Sequence, residues 1–172
     1  MKKFILACFV VSIIIACSPK TETAGTFAVP EDVNSYNLDS SANIDLVKKM
    51  ITAFEAGDSV TYRSCYADSA IFHDNGTDMT LDQNVVLFNY FKSNGVSVKM
   101  EKVDPIWEIV NKEASPNGVT NFVMSFQHTI YKKGDKEVKV IVSVVNGIKD
   151  GKIVEEWDLY NTKPMLDLMN QK

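Results

Sequence analysis

Hydrophobic positions along the chain fall into successive regimes. Residues 4–16 form an apolar run interrupted only by Ser12, and residues 18–41 are rich in Ser, Thr, Pro, Ala and Asn with few large apolar side chains. The second stretch cannot bury enough surface to offset the entropy of ordering it, and it reads as a tether that reaches residue 41. Ile44, Val47, Ile51 and Phe54 then recur at helical spacing, with Lys48, Lys49 and Glu55 on other faces and Gly57 to stop the helix. Asp58 can cap a second short helix carrying Val60, Tyr62, Cys65 and Tyr66. Residues 70–74 read as a short strand and Asn75-Gly76 as a turn. Thr80 caps a third helix through Val85, Val86, Phe88 and Phe91, closed by Asn94-Gly95.

Beyond Gly95 the period changes to two. Residues 96–110, 121–132, 137–145 and 152–161 are rich in β-branched and aromatic side chains, with turn chemistry at Lys133-Gly134-Asp135 and Asp150-Gly151. They predict an antiparallel meander. In the second strand Phe122, Met124, Phe126, His128 and Ile130 share one face, and Val123, Ser125, Gln127, Thr129 and Tyr131 share the other. Helices followed by a long antiparallel sheet predict an α+β domain over residues 42–172, with the helices on one sheet face and a short closing helix near residues 164–169.

The N-terminus is an address. Lys2 and Lys3 precede the apolar run, which at ~1.5 Å per residue is too short for a ~30 Å hydrocarbon core, so residues 1–16 read as a secretory signal peptide. The run ends in Ile14-Ile15-Ala16-Cys17, which resembles a bacterial lipobox. That resemblance implies cleavage before Cys17 and attachment to its sulfur of a diacylglycerol whose fatty acids include palmitate. The domain would then be anchored by lipid in the cell envelope, in the periplasm or at the cell surface. Ser18 after the cysteine points to the outer rather than the inner membrane.

Composition adds limits. The chain has 18 Lys and Arg against 22 Asp and Glu, a formal net charge of −4 that loss of Lys2 and Lys3 makes more negative. No basic patch is present, which argues against nucleic acid. Cys8 leaves with the signal segment and Cys17 is used by lipid, so Cys65 remains alone and forms no internal disulfide. It reads as a buried small hydrophobe. No Gly-rich phosphate loop, Cys-x-x-Cys pair, Gly-x-Ser-x-Gly elbow or His-Glu-x-x-His helix occurs, so neither a cofactor nor a metal is expected.

Glu55-Ala56-Gly57-Asp58, Tyr66-Ala67-Asp68-Ser69-Ala70 and Asp150-Gly151-Lys152-Ile153-Val154 ahead of Trp157-Asp158, in this order of elements, resemble the nuclear transport factor 2-like superfamily, particularly its SnoaL-like branch. The resemblance implies a curved sheet wrapped by three helices into a cone with an apolar pocket at its wide end. Ketosteroid isomerases of that superfamily carry Ala-Gly-Asp, then an aromatic-Ala-Asp-x-Ala run leading to a catalytic carboxylate. Here Ala56-Gly57-Asp58 and residues 66–70 lead without a gap to Asp74, which falls at the general-base position. The enolate-stabilising tyrosine of those enzymes falls at Met50, which cannot donate, and their second donor falls near Ser143.

Further candidates complete the reading. His73 adjoins Asp74, but neighbours on a strand point to opposite faces. His128 is either a pocket-lining polar group or a satisfied core histidine. Glu156 and Asp158 share one face of the last strand, where related enzymes place a catalytic acid; the alternative is that these acids face solvent or a dimer interface while Trp157 packs. The candidate catalytic residues are therefore Asp74, His128 and Asp158, and the candidate pocket residues are Met50, Tyr62, Phe72, Trp107, Phe126, Trp157 and Tyr160. The leading expectation is a lipid-anchored cone that binds a small, mostly apolar ligand or supports a partner protein without turnover. The alternative is an isomerase, cyclase or dehydratase using Asp74 as base, and pairing of two copies through the sheet is a third possibility.

Overall fold

The structure is a computed structural model that describes residues 34–170. The expected signal segment, Cys17 and most of the tether lie outside the described residues. The elements run β1 (Ser35–Leu38), α1 (Ala42–Ala56), α2 (Ser59–Ser64), β2 (Tyr66–Asp74), β3 (Thr77–Thr80), α3 (Leu81–Ser93), β4 (Val96–Asn111), β5 (Asn121–Lys133), β6 (Lys136–Lys149), β7 (Lys152–Leu159) and α4 (Lys163–Met169). The domain is α+β, as its periodicity predicts.

Local chemistry sets the helix ends. The Ser41 hydroxyl accepts from Ile44 N–H at 3.0 Å to open α1, and Gly57 closes it at φ +67°, a left-handed conformation that suits glycine. Asp58 accepts from the N–H groups of Val60 and Thr61 to open α2. A reciprocal pair between Thr80 and Gln83 caps α3. The helix α2 stops at Ser64, so Tyr66 belongs to β2 rather than to the helix expected to carry it.

The strands form one seven-stranded sheet in the order β1-β4-β5-β6-β7-β2-β3. It differs from the expected meander in three ways. First, β2 lies parallel to β7, with Phe72 opposite Glu156 and Asp74 opposite Asp158, so the sheet is mixed. Second, the expected short strand extends back to Tyr66, with a register shift before Ile71, and it pairs with an unforeseen β3 across the tight Asn75-Gly76 turn. Third, residues 35–38, placed by composition in the tether, pair with β4 from Ser35 opposite Asn111 to Leu38 opposite Glu108. A strand so short has too few residues for a clear period. The register of β4 with β5 shifts between Val103 and Ile106, and Pro105, which lacks an N–H, sits in that break.

The inner face of the sheet packs against α1, α2 and α3 around Ile44, Val47, Phe72, Val123 and Ile153. A second cluster joins Val140, Val142, Val144 and Tyr131 of the same face to Leu168 of α4. The fourth helix therefore shares in covering the inner face, where three N-terminal helices were expected to do so. Cys65 is fully buried in the first cluster. Among the described residues no helix is long and apolar enough to cross a membrane.

Phe72→Ala would remove a fully buried ring from the first cluster. It is expected to lower unfolding free energy by about 3–5 kcal/mol, against about 1 kcal/mol for Thr80→Ala, which removes only a cap. Urea unfolding followed by circular dichroism measures both.

Candidate active site

Between the two packed clusters the inner face leaves a cavity of ≈ 100 Å³. Its apolar walls come from Met50 and Phe54 of α1, Phe88 and Phe91 of α3, Val142 and Val144 of β6, and Met165 of α4. Its polar groups come from strands that alternate residues into the cone. Gln127, Thr129 and Tyr131 project from β5, Glu156 and Asp158 from β7, and Asp74 from the end of β2.

The sheet order explains how the carboxyl groups meet. Parallel pairing of β2 with β7 makes Asp74 the register partner of Asp158 and Phe72 that of Glu156, and all four side chains share the inner face. Tyr160 donates its hydroxyl to Asp74 Oδ2 at 3.2 Å, and Asn75 Nδ2 donates to Asp74 Oδ1 at 3.1 Å. The Asn75 N–H in turn donates to the Asp158 carbonyl at 2.9 Å, tying the turn to β7. Glu156 Oε2 accepts from Tyr66 Oη at 2.8 Å and from Asn146 Nδ2. Tyr66 also meets the hydroxyl of Tyr62 at 3.1 Å, and Tyr62 donates to Asn84 Oδ1 at 2.9 Å. The hydroxyls and amides thus form one chain from α3 to the carboxyl groups.

Burial dominates the proton affinities here. It pushes Glu156 up to about 7, against the lowering effect of the hydrogen bonds from Tyr66 and Asn146. Asp158 is held well above the usual carboxylate range, first by burial and then by the charges of Glu156 and Asp74. Tyr62 and Tyr66 are pushed far up by burial and by the charge of Glu156, so both are donors at any ordinary pH. Burial and the charge of Asp74 raise Tyr160 as well. The cavity therefore holds two carboxyl groups of raised proton affinity and phenols that keep their protons in an apolar setting, together with a tyrosine aimed at Asp74.

Of the candidates named from sequence, the structure brings Asp74, Asp158, Met50, Tyr62 and Tyr160 to this cavity. Phe72 lies in the core beneath it, fully buried against Tyr66. The others are corrected. Gln127 and Thr129 point inward, so their neighbours Phe126 and His128 point to the outer face. Trp107 is on that face too, with its ring 6.4 Å from that of Phe126. Trp157 is opposite Val145 on the outer face and stacks on His73 at 5.1 Å. Ser143, opposite Phe126, faces outward and cannot donate into the cavity. His73 pairs with Asp78 at 2.7 Å across the β2–β3 hairpin, on the opposite side from Asp74. The arrangement in which Glu156 and Asp158 face solvent or a partner is likewise corrected, since both point into the cone.

Tyr66, Asn146, Thr129 and Tyr131 were not among the candidates. Strand alternation carried the relevant signal for Thr129 and Tyr131, which share a period-two face with Gln127. Choosing which face of β5 is inward required the sheet order. Hydrophobicity misleads at this point, because the half-buried outer face carries more aromatic side chains than the inner one.

No family model matches the sequence, and no curated protein does. Solved structures of similar fold do exist. An LEH-like epoxide hydrolase from M. tuberculosis matches at TM-score 0.58 and 16% identity, over 77% of this chain and 92% of that chain. A protein assigned as a SnoaL-like polyketide cyclase from Shewanella denitrificans matches at TM-score 0.56 and 14% identity, over 77% of this chain and all of that one. IdmH, a polyketide cyclase assignment from Streptomyces antibioticus, matches at TM-score 0.55 and 14% identity, over 75% of this chain and 99% of that chain. The chain thus has the cone fold of SnoaL-like and nuclear transport factor 2-like proteins. At these identities the likeness shows the fold alone.

Raised carboxyl groups make stability depend on pH with a definite sign. Glu156 holds its proton more tightly folded, at about 7, than at its ordinary value near 4.5. Its stabilising contribution is full below about pH 4.5 and is lost as pH rises through about 7, and Asp158, also raised, adds a loss of the same sign. Unfolding free energy is expected to fall by a few kcal/mol across that window, and Glu156→Gln to flatten the slope. Denaturant titrations at a series of pH values measure it.

Proposed function

We propose that the domain is a proton-transfer enzyme acting on a small, mostly apolar, oxygen-bearing molecule, and that lipid on Cys17 holds it in the cell envelope. One observation carries the catalytic reading: Asp74 and Asp158 stand side by side at an apolar cavity, and burial and like charge keep the proton on Asp158. Two carboxyl groups with divergent environments divide the roles of base and acid. Asp74 takes a proton from the substrate, while Asp158 gives one to the oxygen where negative charge develops. Tyr160, hydrogen-bonded to Asp74, orients the base. A donor at Asp158 answers the lack of one at Met50. Similar folds among polyketide cyclases and an epoxide hydrolase support a reaction site over a passive pocket.

The test uses the chain from residue 17 onward with Cys17→Ser. Small cyclic ketones, enones and epoxides are screened by thermal shift, and those that bind are followed by NMR in deuterium oxide for exchange or conversion. Asp74→Asn is expected to lower turnover by roughly 10²-fold or more while binding changes little. Unchanged turnover removes Asp74 from the mechanism, and binding without exchange or conversion returns the domain to a ligand carrier. For the anchor, palmitate labelling of the full chain in cells is expected to vanish with Cys17→Ser; persistent labelling excludes Cys17.

A specific surface supports a second property, pairing of two copies through the sheet. The outer face carries Trp107, Phe126 and Trp157, all partly buried, beside Ile141 at 56% and Leu159 at 62% exposure. Sedimentation velocity is expected to show a dimer that Ile141→Glu dissociates, whereas a monomeric native chain rejects the pairing.

A further inference from the structure

Glu156 is 5% exposed, and its bonds are spent on neighbours. One carboxyl oxygen accepts from both Tyr66 and Asn146, and Asp158 lies two residues along the same strand, with its side chain in the same cavity. The polar groups around it are Tyr66 and Asp74 from β2, Tyr62 behind Tyr66, Asn146 from β6 and Asp158 of its own strand. These interactions include no cation. Two acids that share an apolar cavity resist ionising together, and the neighbours decide which of them keeps the proton. Tyr66 and Asn146 both donate, and donors stabilise an acceptor oxygen, so they favour charge on Glu156 and leave the proton with Asp158.

Asn146 is the less satisfied of the two donors. Its side chain is fully buried, and its Oδ1 has no hydrogen-bond partner among the described residues. A buried carbonyl left alone costs about 1–3 kcal/mol. The amide accepts that loss with its NH₂ end on Glu156, where a charge-assisted hydrogen bond is about twice as strong as a neutral one. With Nδ2 on Glu156 Oε2, the amide is the second donor to the oxygen that Tyr66 also serves.

We propose that Glu156, anchored by Tyr66 and Asn146, is the positioning residue that holds the catalytic proton on Asp158. This rests on Asp158 as the acid of the proposed reaction. In the forward step the Asp158 O–H bond breaks, its proton goes to the substrate oxygen, and the electron pair stays on the Asp158 carboxylate. Asp74 meanwhile takes one proton from the substrate. Two carboxylates then face each other at Asp158 and Glu156, and their repulsion draws the proton on Asp74 back to its register partner Asp158. The cycle closes with no proton gained or lost by the enzyme.

The experiment titrates the full chain in detergent, with aspartate side-chain carboxyls labelled with ¹³C, by NMR; Asp158 is assigned from the signal lost in Asp158→Asn. The native Asp158 transition is expected well above the ordinary aspartate range, and Glu156→Gln is expected to lower its midpoint by about one pH unit or more, a tenfold weaker hold on the proton. An unmoved midpoint in a folded Glu156→Gln chain overturns the proposal. Should that variant fail to fold, Tyr66→Phe removes one of the two donors and is expected to move the Glu156 transition to higher pH, read with labelled glutamate; no movement overturns the anchoring. Neither titration depends on turnover. A lowered midpoint in a chain that converts no substrate defeats the enzyme reading while the proton coupling stands, and conversion with an unmoved midpoint does the reverse.

Discussion

Desolvation of three carboxyl groups is the constraint around which the interior of the cone is built. Asp74, Glu156 and Asp158 face one apolar space, and a charge there is costly unless it is hydrogen-bonded or neutralised. The surrounding polar residues answer that requirement one group at a time. Tyr66 and Asn146 serve Glu156, Tyr160 and Asn75 serve Asp74, and Asp158 keeps its proton. Tyr62 and Asn84 extend the network to α3, so that a helix as well as the sheet is tied to the carboxyl chemistry. Removing one partner of such a network leaves a buried group unsatisfied, which is why its members act as a unit.

The sheet separates two kinds of surface by alternation alone. One step along β7, from Asp158 to Trp157, crosses from the acid-lined cavity to an aromatic outer face. The same step along β5 separates Thr129 from His128. Both faces are partly apolar, so burial by itself does not say which is the inside of the cone. The α4 helix settles the question locally, since Leu168 packs on Val140, Val142 and Val144.

Much of this was legible in the chain. Helix ends at Gly57, at Asp58 and at Thr80 rest on side-chain and backbone chemistry confined to a few residues, and sequence displays such chemistry directly. The long strands and the turns at Asn75-Gly76 and Asp150-Gly151 were equally visible. Asp74, Asp158, Met50, Tyr62 and Tyr160 could be named for the cavity from spacing and resemblance. Trp107, Phe126, His128 and Trp157 were misplaced because period two identifies two faces without saying which is inside. The short strands β1 and β3 and the parallel β2–β7 pairing escaped notice because each depends on a distant partner. Glu156 was visible as an acid, but its role depends on Tyr66 and Asn146, residues that only the folded sheet brings to it.

The pairing of β2 with β7 also dictates when the site can exist. Tyr66 meets Ile153 and Asp74 meets Asp158 across most of the domain's length, with β3, α3 and the β4–β6 ladder between them in the chain. Contacts so distant in the chain carry a loop-closure penalty that local helices and hairpins do not. An extended chain therefore carries every one of these side chains and no cavity. The carboxyl groups come together only when β7 docks beside β2.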